Sequence, residues 1–180
     1  TVATELGMAL AKRGHQVHFV TFAEPYRLQF DPNIYLHQVD VMHYPLFDHP
    51  PTTLSLAAKM AETICTEKLD LLHVHYAIPH ATAAYLALKL CPEHNVRLVT
   101  TLHGTDITLV GQDPSYFSIT RFSIEQSDVV TAVSQWLKDQ TLSRFKVAHP
   151  IEVIYNSVDT ERFRRVSVPA CQRARYAPGG

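Results

Sequence analysis

The sequence lacks the features that mark several classes of protein. Its 180 residues include 16 Lys+Arg and 17 Asp+Glu, and only 18% of the residues are charged. We therefore expect no positively charged patch that would bind nucleic acid. No apolar run approaches the roughly 20 residues of a membrane-spanning helix, and the first residues lack the basic-then-apolar order of a signal peptide. With 46% hydrophobic residues, the composition predicts a globular chain with one principal core.

Cysteine is also scarce. Cys65, Cys91 and Cys171 are odd in number and form no Cys-x-x-Cys pair, so the spacing predicts neither a disulfide framework nor a cysteine zinc site. This cysteine usage favours a reducing compartment and predicts a cytoplasmic location. The chain opens on Thr1 and ends in a Pro- and Gly-containing stretch. We therefore expect a fragment whose start lies upstream and whose last residues belong to a linker.

Helical and strand patterns alternate along the chain. The first helix is closed by Gly14, where a left-handed cap belongs, and Leu54 lies on the apolar stripe of the second. The strands are predicted at 17–22, 34–41, 69–75, 96–102, 129–133 and 151–155, and the later helices at 54–64, 81–90, 116–126 and 134–142. This alternation predicts an α/β fold with a Rossmann-like parallel sheet and helices on both faces.

The carboxyl ends of parallel strands are where such folds bind ligands. The residues predicted to leave those ends are polar, aromatic or glycine-flanked. They are His75, Tyr76, His103, Gly104, Thr105, Asp106, Ser134 and Asn156. We expect them to line one crevice, although Ser134 also suits a helix N-cap and Asn156 suits a turn.

Two histidines near these strand ends could be ligands of a metal ion. His73 and His75 are two residues apart on a strand and share a face, as zinc ligands do in metal hydrolases. No Asp or His follows at a spacing that identifies it as a third ligand. The alternative is that these histidines only form hydrogen bonds with their surroundings. His80 is predicted to begin a helix.

A strand that runs into His103-Gly104 lets the backbone approach a ligand closely and leaves an imidazole at the crevice. The alternative is a tight turn capped by Asp106. Arg121 lies in a predicted helix, where its guanidinium could hold a carboxylate or a phosphate, or could simply face solvent.

Six stretches carry a resemblance to a known family. They are residues 1–7, 13–17, 39–47, 73–80, 101–108 and 153–156. Together they resemble the N-terminal domain of GT-B retaining glycosyltransferases of the family 4 type. The strings His-Val-His-Tyr-Ala-Ile-Pro-His and His-Gly-Thr-Asp-Ile-Thr are specific to a much narrower group of these enzymes than the other stretches.

The resemblance implies the N-terminal half of a two-domain enzyme. Residues 1–166 would be the acceptor-side domain and 167–180 a linker. The family's first strand and glycine-rich loop would precede Thr1, and its donor-binding domain would follow Gly180. This half alone is expected to be inactive, because the reaction takes place between the two domains.

The resemblance also assigns residues and substrates. It places His103 beside the reacting sugar and gives Tyr76, Thr105 and Arg121 to the negative groups of the acceptor. Members of the bacillithiol pathway are especially similar, which implies transfer of N-acetylglucosamine from UDP-N-acetylglucosamine to the hydroxyl of L-malate. No metal or other cofactor is expected to be required, and homodimer formation stays open.

Three alternatives remain at the level of the sequence. The first is a GT-B glycosyltransferase with another small acceptor. The second is a zinc-dependent hydrolase that uses His73 and His75, and the third is a small-molecule binding domain without catalysis.

Overall fold

Strands and helices alternate in the computed structural model, which describes residues 2–42, 44–160 and 163–164. The strands are β1 (Val17–Thr21), β2 (Ile34–Gln38), β3 (Leu71–His75), β4 (Arg97–Leu102), β5 (Val129–Ala132) and β6 (Ile151–Val153). The helices are α1 (Val2–Ala11), α2 (Thr52–Glu67), α3 (Thr82–Leu90), α4 (Thr105–Thr108), α5 (Pro114–Glu125) and α6 (Gln135–Phe145). The order confirms the predicted α/β class.

All strand pairs are parallel, as predicted, but the strands form two sheets. β1 pairs with β2, and β3, β4, β5 and β6 lie side by side in that order. His75 is opposite Thr101 on β4, and Leu102 is opposite Ala132 on β5. The carboxyl ends of β3, β4 and β5 therefore meet along one edge.

A groove of about 670 Å³ runs between the two sheets. All five residues of β1 and all five of β3 line it, together with one side of α1 and the end of α2. At the carboxyl end of β3 the groove reaches His75, Tyr76 and His80. The division of the sheet thus leaves an open slot that leads to the predicted crevice.

Two apolar clusters hold the helices against the strands. Ile64 of α2 and Leu98 of β4 are fully buried in the first, and Ile124 of α5 and Phe145 of α6 are buried in the second. Burying a side chain of this size contributes roughly 1.5–3 kcal/mol. The core therefore fixes the strands whose ends carry the candidate site.

Several predicted boundaries differ from the structure. α6 continues to Phe145, which is 1% exposed and belongs to the core, and ends at a left-handed cap on Lys146. Leu54 is 58% exposed, because it lies in the first turn of α2, before the buried positions begin. β2 stops at Gln38, three residues short of its predicted end. α4 was not predicted, because four residues are too few to show a helical period.

Within the described residues, none of the helices combines the length and the apolar character of a transmembrane segment. The predicted linker at 167–180, and Cys171 within it, lie outside the described residues. That boundary stays a prediction.

Candidate active site

Two strand ends deliver the central side chains of the site. β3 ends at His75, and the next residue, Tyr76, has φ 79°, a value uncommon for a residue with a side chain. β4 ends at Leu102, and His103 is followed by Gly104 with φ 132°, which glycine adopts without steric cost. Both chains therefore turn sharply at the sheet edge.

The rings at these turns touch one another. Nδ1 of His75 and Nε2 of His103 are 2.8 Å apart, and the ring centres of Tyr76 and His103 are 4.9 Å apart. His73 stacks on His75 with ring centres 4.8 Å apart. The structure thus brings together three of the predicted site residues in one aromatic cluster.

The imidazoles of this cluster are held uncharged. Burial, together with the imidazoles of His73 and His103, lowers the pKa of His75 to about 3. Burial also lowers the pKa of His73 and of His103, although the carboxylate of Asp106 opposes the shift at His103. At neutral pH each ring has one donor and one acceptor nitrogen, so His103 offers a ligand directional hydrogen bonding and no net charge.

A hydrogen-bonded chain behind the rings crosses three strands. Nε2 of His73 lies 2.8 Å from Oγ1 of Thr101, which lies 2.8 Å from Oγ1 of Thr131. The sequence did not lead us to predict this series of hydrogen bonds. A threonine inside an apolar strand was the available signal, because a buried hydroxyl needs a partner.

Asp106 joins the two turns. Its Oδ2 accepts a hydrogen bond from the backbone N–H of Ala77 at 2.8 Å, and its Oδ1 accepts one from the N–H of Gly104 at 3.1 Å. The residue is 2% exposed. Instead of facing the crevice, this carboxylate ties the loop that carries Tyr76 to the loop that carries His103.

His80 lies in a π-helical turn, Ala77–Ala81, just before α3. It therefore precedes the helix that it was predicted to begin. Its ring centre is 6.1 Å from that of Tyr76, and its buried Nδ1 has no hydrogen-bond partner among the described residues.

Thr105 and Arg121 have fewer ties to the cluster. Thr105 is exposed and is the first residue of α4, two positions after His103. The Nε of Arg121 donates to Oε1 of Glu125 at 3.0 Å on the exposed side of α5. Within the described residues, no hydrogen bond or ion pair connects Arg121 to Tyr76, His103 or Thr105.

The last two predicted residues lie further along the sheet edge. Ser134 is the N-cap of α6, where its Oγ accepts a hydrogen bond from the N–H of Leu137 at 3.2 Å. Asn156 is exposed in the irregular segment after β6. The first observation bears out the cap reading, and neither residue touches the ring cluster through a hydrogen bond in the described part of the chain.

Among the described residues, no third ligand lies beside the candidate zinc pair His73 and His75. In the described residues, two groups of three side chains have ligand atoms within 4.8 Å of one another: His18, His37 and Glu67 form one, and Cys65, Glu93 and His94 form the other. Neither includes His73 or His75, whose nitrogens are engaged with Thr101 and His103. A hydrolase built on His73 and His75 is therefore not favoured.

Comparison with known proteins decides the family. The sequence matches Glycosyltransferase Family 4 over residues 1–162. The chain belongs to this family. It is 54% identical over 159 residues, 88% of its length, to N-acetyl-alpha-D-glucosaminyl L-malate synthase of Bacillus anthracis. It is 32% identical over 97 residues, 53% of its length, to an uncharacterized glycosyltransferase of Methanocaldococcus jannaschii.

Membership confirms the predicted family and the Rossmann-like fold class. Glycosyltransferases of Family 4 generally lack an obligatory metal. The chain spans 42% of the Bacillus relative and 26% of the Methanocaldococcus relative, so it corresponds to less than half of either protein.

Proposed function

We propose that this chain is the acceptor-side half of a retaining glycosyltransferase that moves N-acetylglucosamine from UDP-N-acetylglucosamine to the hydroxyl of L-malate. The support is the 54% identity over 88% of the chain to a protein named for that product. Transfer is proposed to need no metal and to take place in the cytoplasm. The small acceptor and the nucleotide sugar are the proposed partners.

The chemistry of malate fits two kinds of group among the predicted site residues. Its two carboxylates call for cationic and hydroxyl donors, which Arg121, Tyr76 and Thr105 would supply as charge-assisted hydrogen bonds. Its hydroxyl needs a directional partner that does not compete for the carboxylates, and the uncharged imidazole of His103 meets that need. In this proposal the chain contributes mainly by positioning the acceptor.

The direct test is product formation by the full-length protein. Purified enzyme is incubated with UDP-N-acetylglucosamine and L-malate, and mass spectrometry detects the glycoside while UDP release is followed in parallel. Succinate, which has the carboxylates but no hydroxyl, is the matched control and should give no glycoside. Transfer to a different acceptor, with none to L-malate, would contradict the proposed acceptor and leave the family intact.

The groove between the sheets supports a proposal about the rest of the fold. The N–H of Val17 donates to Asn33 beside β2, and the N–H of Tyr76 donates to Thr101 on β4. Because successive residues of a strand direct their backbone groups to opposite sides, the alternating amides face the groove. These are the amides of His18, Val20, Leu71, His73 and His75.

Backbone groups along an open strand edge are ready to pair with a further strand. We propose that residues preceding Thr1 supply one parallel strand that pairs with both β1 and β3. Such a strand would end beside His75, Tyr76 and His80, and a glycine-rich loop that follows it would complete the crevice there.

Hydrogen exchange tests this arrangement. The amides of His18, Val20 and His73 should exchange slowly in the full-length protein and much faster in the 180-residue chain. The amide of Leu98, a fully buried residue of β4, is the control and should be protected in both. Equal exchange of His18 and Val20 in the two proteins would contradict a strand in the groove.

A further inference from the structure

The two described cysteines lie side by side, although they are 26 residues apart in sequence. Cys65 is in the last turns of α2, and Cys91 directly follows α3. Their Sγ atoms are 2.7 Å apart, compared with about 2.05 Å in a disulfide bond. The two thiols are therefore direct neighbours in the fold.

The surroundings give the two thiols different reactivity. Cys65 is exposed, whereas Cys91 is 3% exposed and its thiol donates to the carbonyl of Ala61 at 3.3 Å. Burial, the contact with Cys65 and the carboxylate of Glu93 raise the pKa of Cys91 to about 11. An oxidant in solution therefore meets Cys65 first, because thiol oxidation follows exposure and thiolate character.

The backbone around the pair is held firmly. α2 and α3 pack together in the first apolar cluster, in which Ala61, Ile64 and Ala87 are buried, so the sulfurs cannot move far apart without disturbing it. Both helices end near the amino ends of β3 and β4, whereas His75 and His103 lie at the carboxyl ends of these strands. A bond between Cys65 and Cys91 would therefore leave the candidate site in place.

We propose that Cys65 and Cys91 are a reversible oxidation site that forms an intramolecular disulfide with peroxides. In the first step the Cys65 sulfur attacks hydrogen peroxide, the O–O bond breaks, and Cys65 sulfenic acid and water form. In the second step the Cys91 sulfur displaces hydroxide from Cys65, and the Cys91 proton leaves with it as water. Two thiols are oxidised, one peroxide is reduced to two waters, and a dithiol reverses the reaction.

Peptide mapping of the full-length protein tests the site. Protein that has been reduced and freed of metal with a chelator is treated with hydrogen peroxide, alkylated and digested with trypsin. Cleavage gives residues 60–68 with Cys65, residues 90–97 with Cys91 and residues 166–173 with Cys171. We expect the first two peptides to be linked, 2 Da lighter than their sum, and separated by a dithiol, while the third stays alkylated.

Other products would overturn the proposal. These are sulfinic acid on an unlinked Cys65, a link from Cys65 to Cys171, and no change at either thiol. Glu93 and His94 lie near Cys65, so zinc is measured before the chelator is added. If the wild-type protein holds stoichiometric zinc and Cys65→Ser does not, Cys65 belongs to a metal site and the proposal of an oxidation site is wrong.

Thermal unfolding provides an independent readout. Closing a loop of this length should raise the Tm of the oxidised protein by about 5–10 °C. Cys65→Ser is the matched control. This variant should have the Tm of the reduced wild type, and its Tm should not rise with peroxide. A rise of equal size in Cys65→Ser would contradict the cross-link, and none of these measurements depends on transferase activity.

Discussion

His103 and Arg121 are both predicted to serve one ligand, yet they have contrasting surroundings. His103 is packed against Tyr76 and shares a hydrogen bond with His75, and its loop is tied down by the buried carboxylate of Asp106. Arg121 has an exposed side chain whose polar partner is Glu125 of the same helix. One predicted site residue is fixed and uncharged, and the other is charged and faces solvent.

The contrast teaches how the two sides can divide the work. A group beside reacting atoms must be held within a fraction of an ångström, which a buried network achieves and a solvated side chain does not. A charged group that attracts a dicarboxylate gains from being accessible, because it can exchange one carboxylate partner for another. The ion pair with Glu125 leaves Arg121 free to do so, since an exposed pair of this kind contributes little, about 0.3–0.5 kcal/mol.

The largest effect is expected at His103 itself. In the full-length enzyme, His103→Ala should lower kcat on the order of 10²-fold, because the acceptor hydroxyl loses its directional partner. The circular dichroism spectrum should be unchanged, since the ring is only partly buried. His49→Ala, at an exposed loop position, is the control. Loss of folding in His103→Ala would instead favour a structural role.

The next effect tests the rigidity of the fixed side. Asp106→Ala leaves two backbone N–H groups, those of Ala77 and Gly104, without their acceptor, at a cost of about 1–3 kcal/mol each. We expect the Tm to fall by several degrees and kcat to fall with it. Asp139→Ala removes an exposed carboxylate that accepts a hydrogen bond from Gln135 on α6, and it should change neither. An unaltered Tm in Asp106→Ala would show that the loops are held by other contacts.

Much of the fixed side could be predicted from the sequence, because parallel topology alone brings strand ends together. His75 and His103 each lie at such an end, so their meeting required no detail of packing. The double role of Asp106 could not be predicted, because Ala77 is 29 residues away and the contact depends on how two loops fold back. The same holds for Cys65 and Cys91, which come together only when α2 packs on α3. The partner of Arg121 is different, because Glu125 is four residues later in the same helix and helical spacing alone makes the two side chains neighbours.

The uncharged state of the ring cluster predicts a pH dependence of stability. The pKa of His75 is about 3 in the folded protein, below the ordinary value near 6.5. The unfolded chain therefore binds a proton that the folded chain does not, and stability is complete above about pH 6.5 and falls as the pH drops toward 3.

Thermal unfolding between pH 7.5 and 5 measures this effect. His75→Gln cannot take up the proton, so proton uptake on unfolding should decrease by about one and the fall in Tm should be shallower. His49→Gln should keep the slope of the wild type. Parallel slopes for all three proteins would mean that the cluster is charged or well solvated in solution.

The smallest effect on stability, and the sharpest test of the charged side, is at Arg121. Arg121→Ala should leave the Tm within about 1 °C, because it removes only an exposed helical pair. It should nevertheless raise KM for L-malate about tenfold with kcat little changed, the scale of one charged hydrogen bond to the bound acceptor. Glu125→Ala is the matched variant, since it breaks the same pair and keeps the guanidinium. If both variants raise KM equally, the pair positions the helix and Arg121 does not bind the carboxylate. If only Arg121→Ala does, the exposed cation supplies the affinity that the uncharged rings cannot.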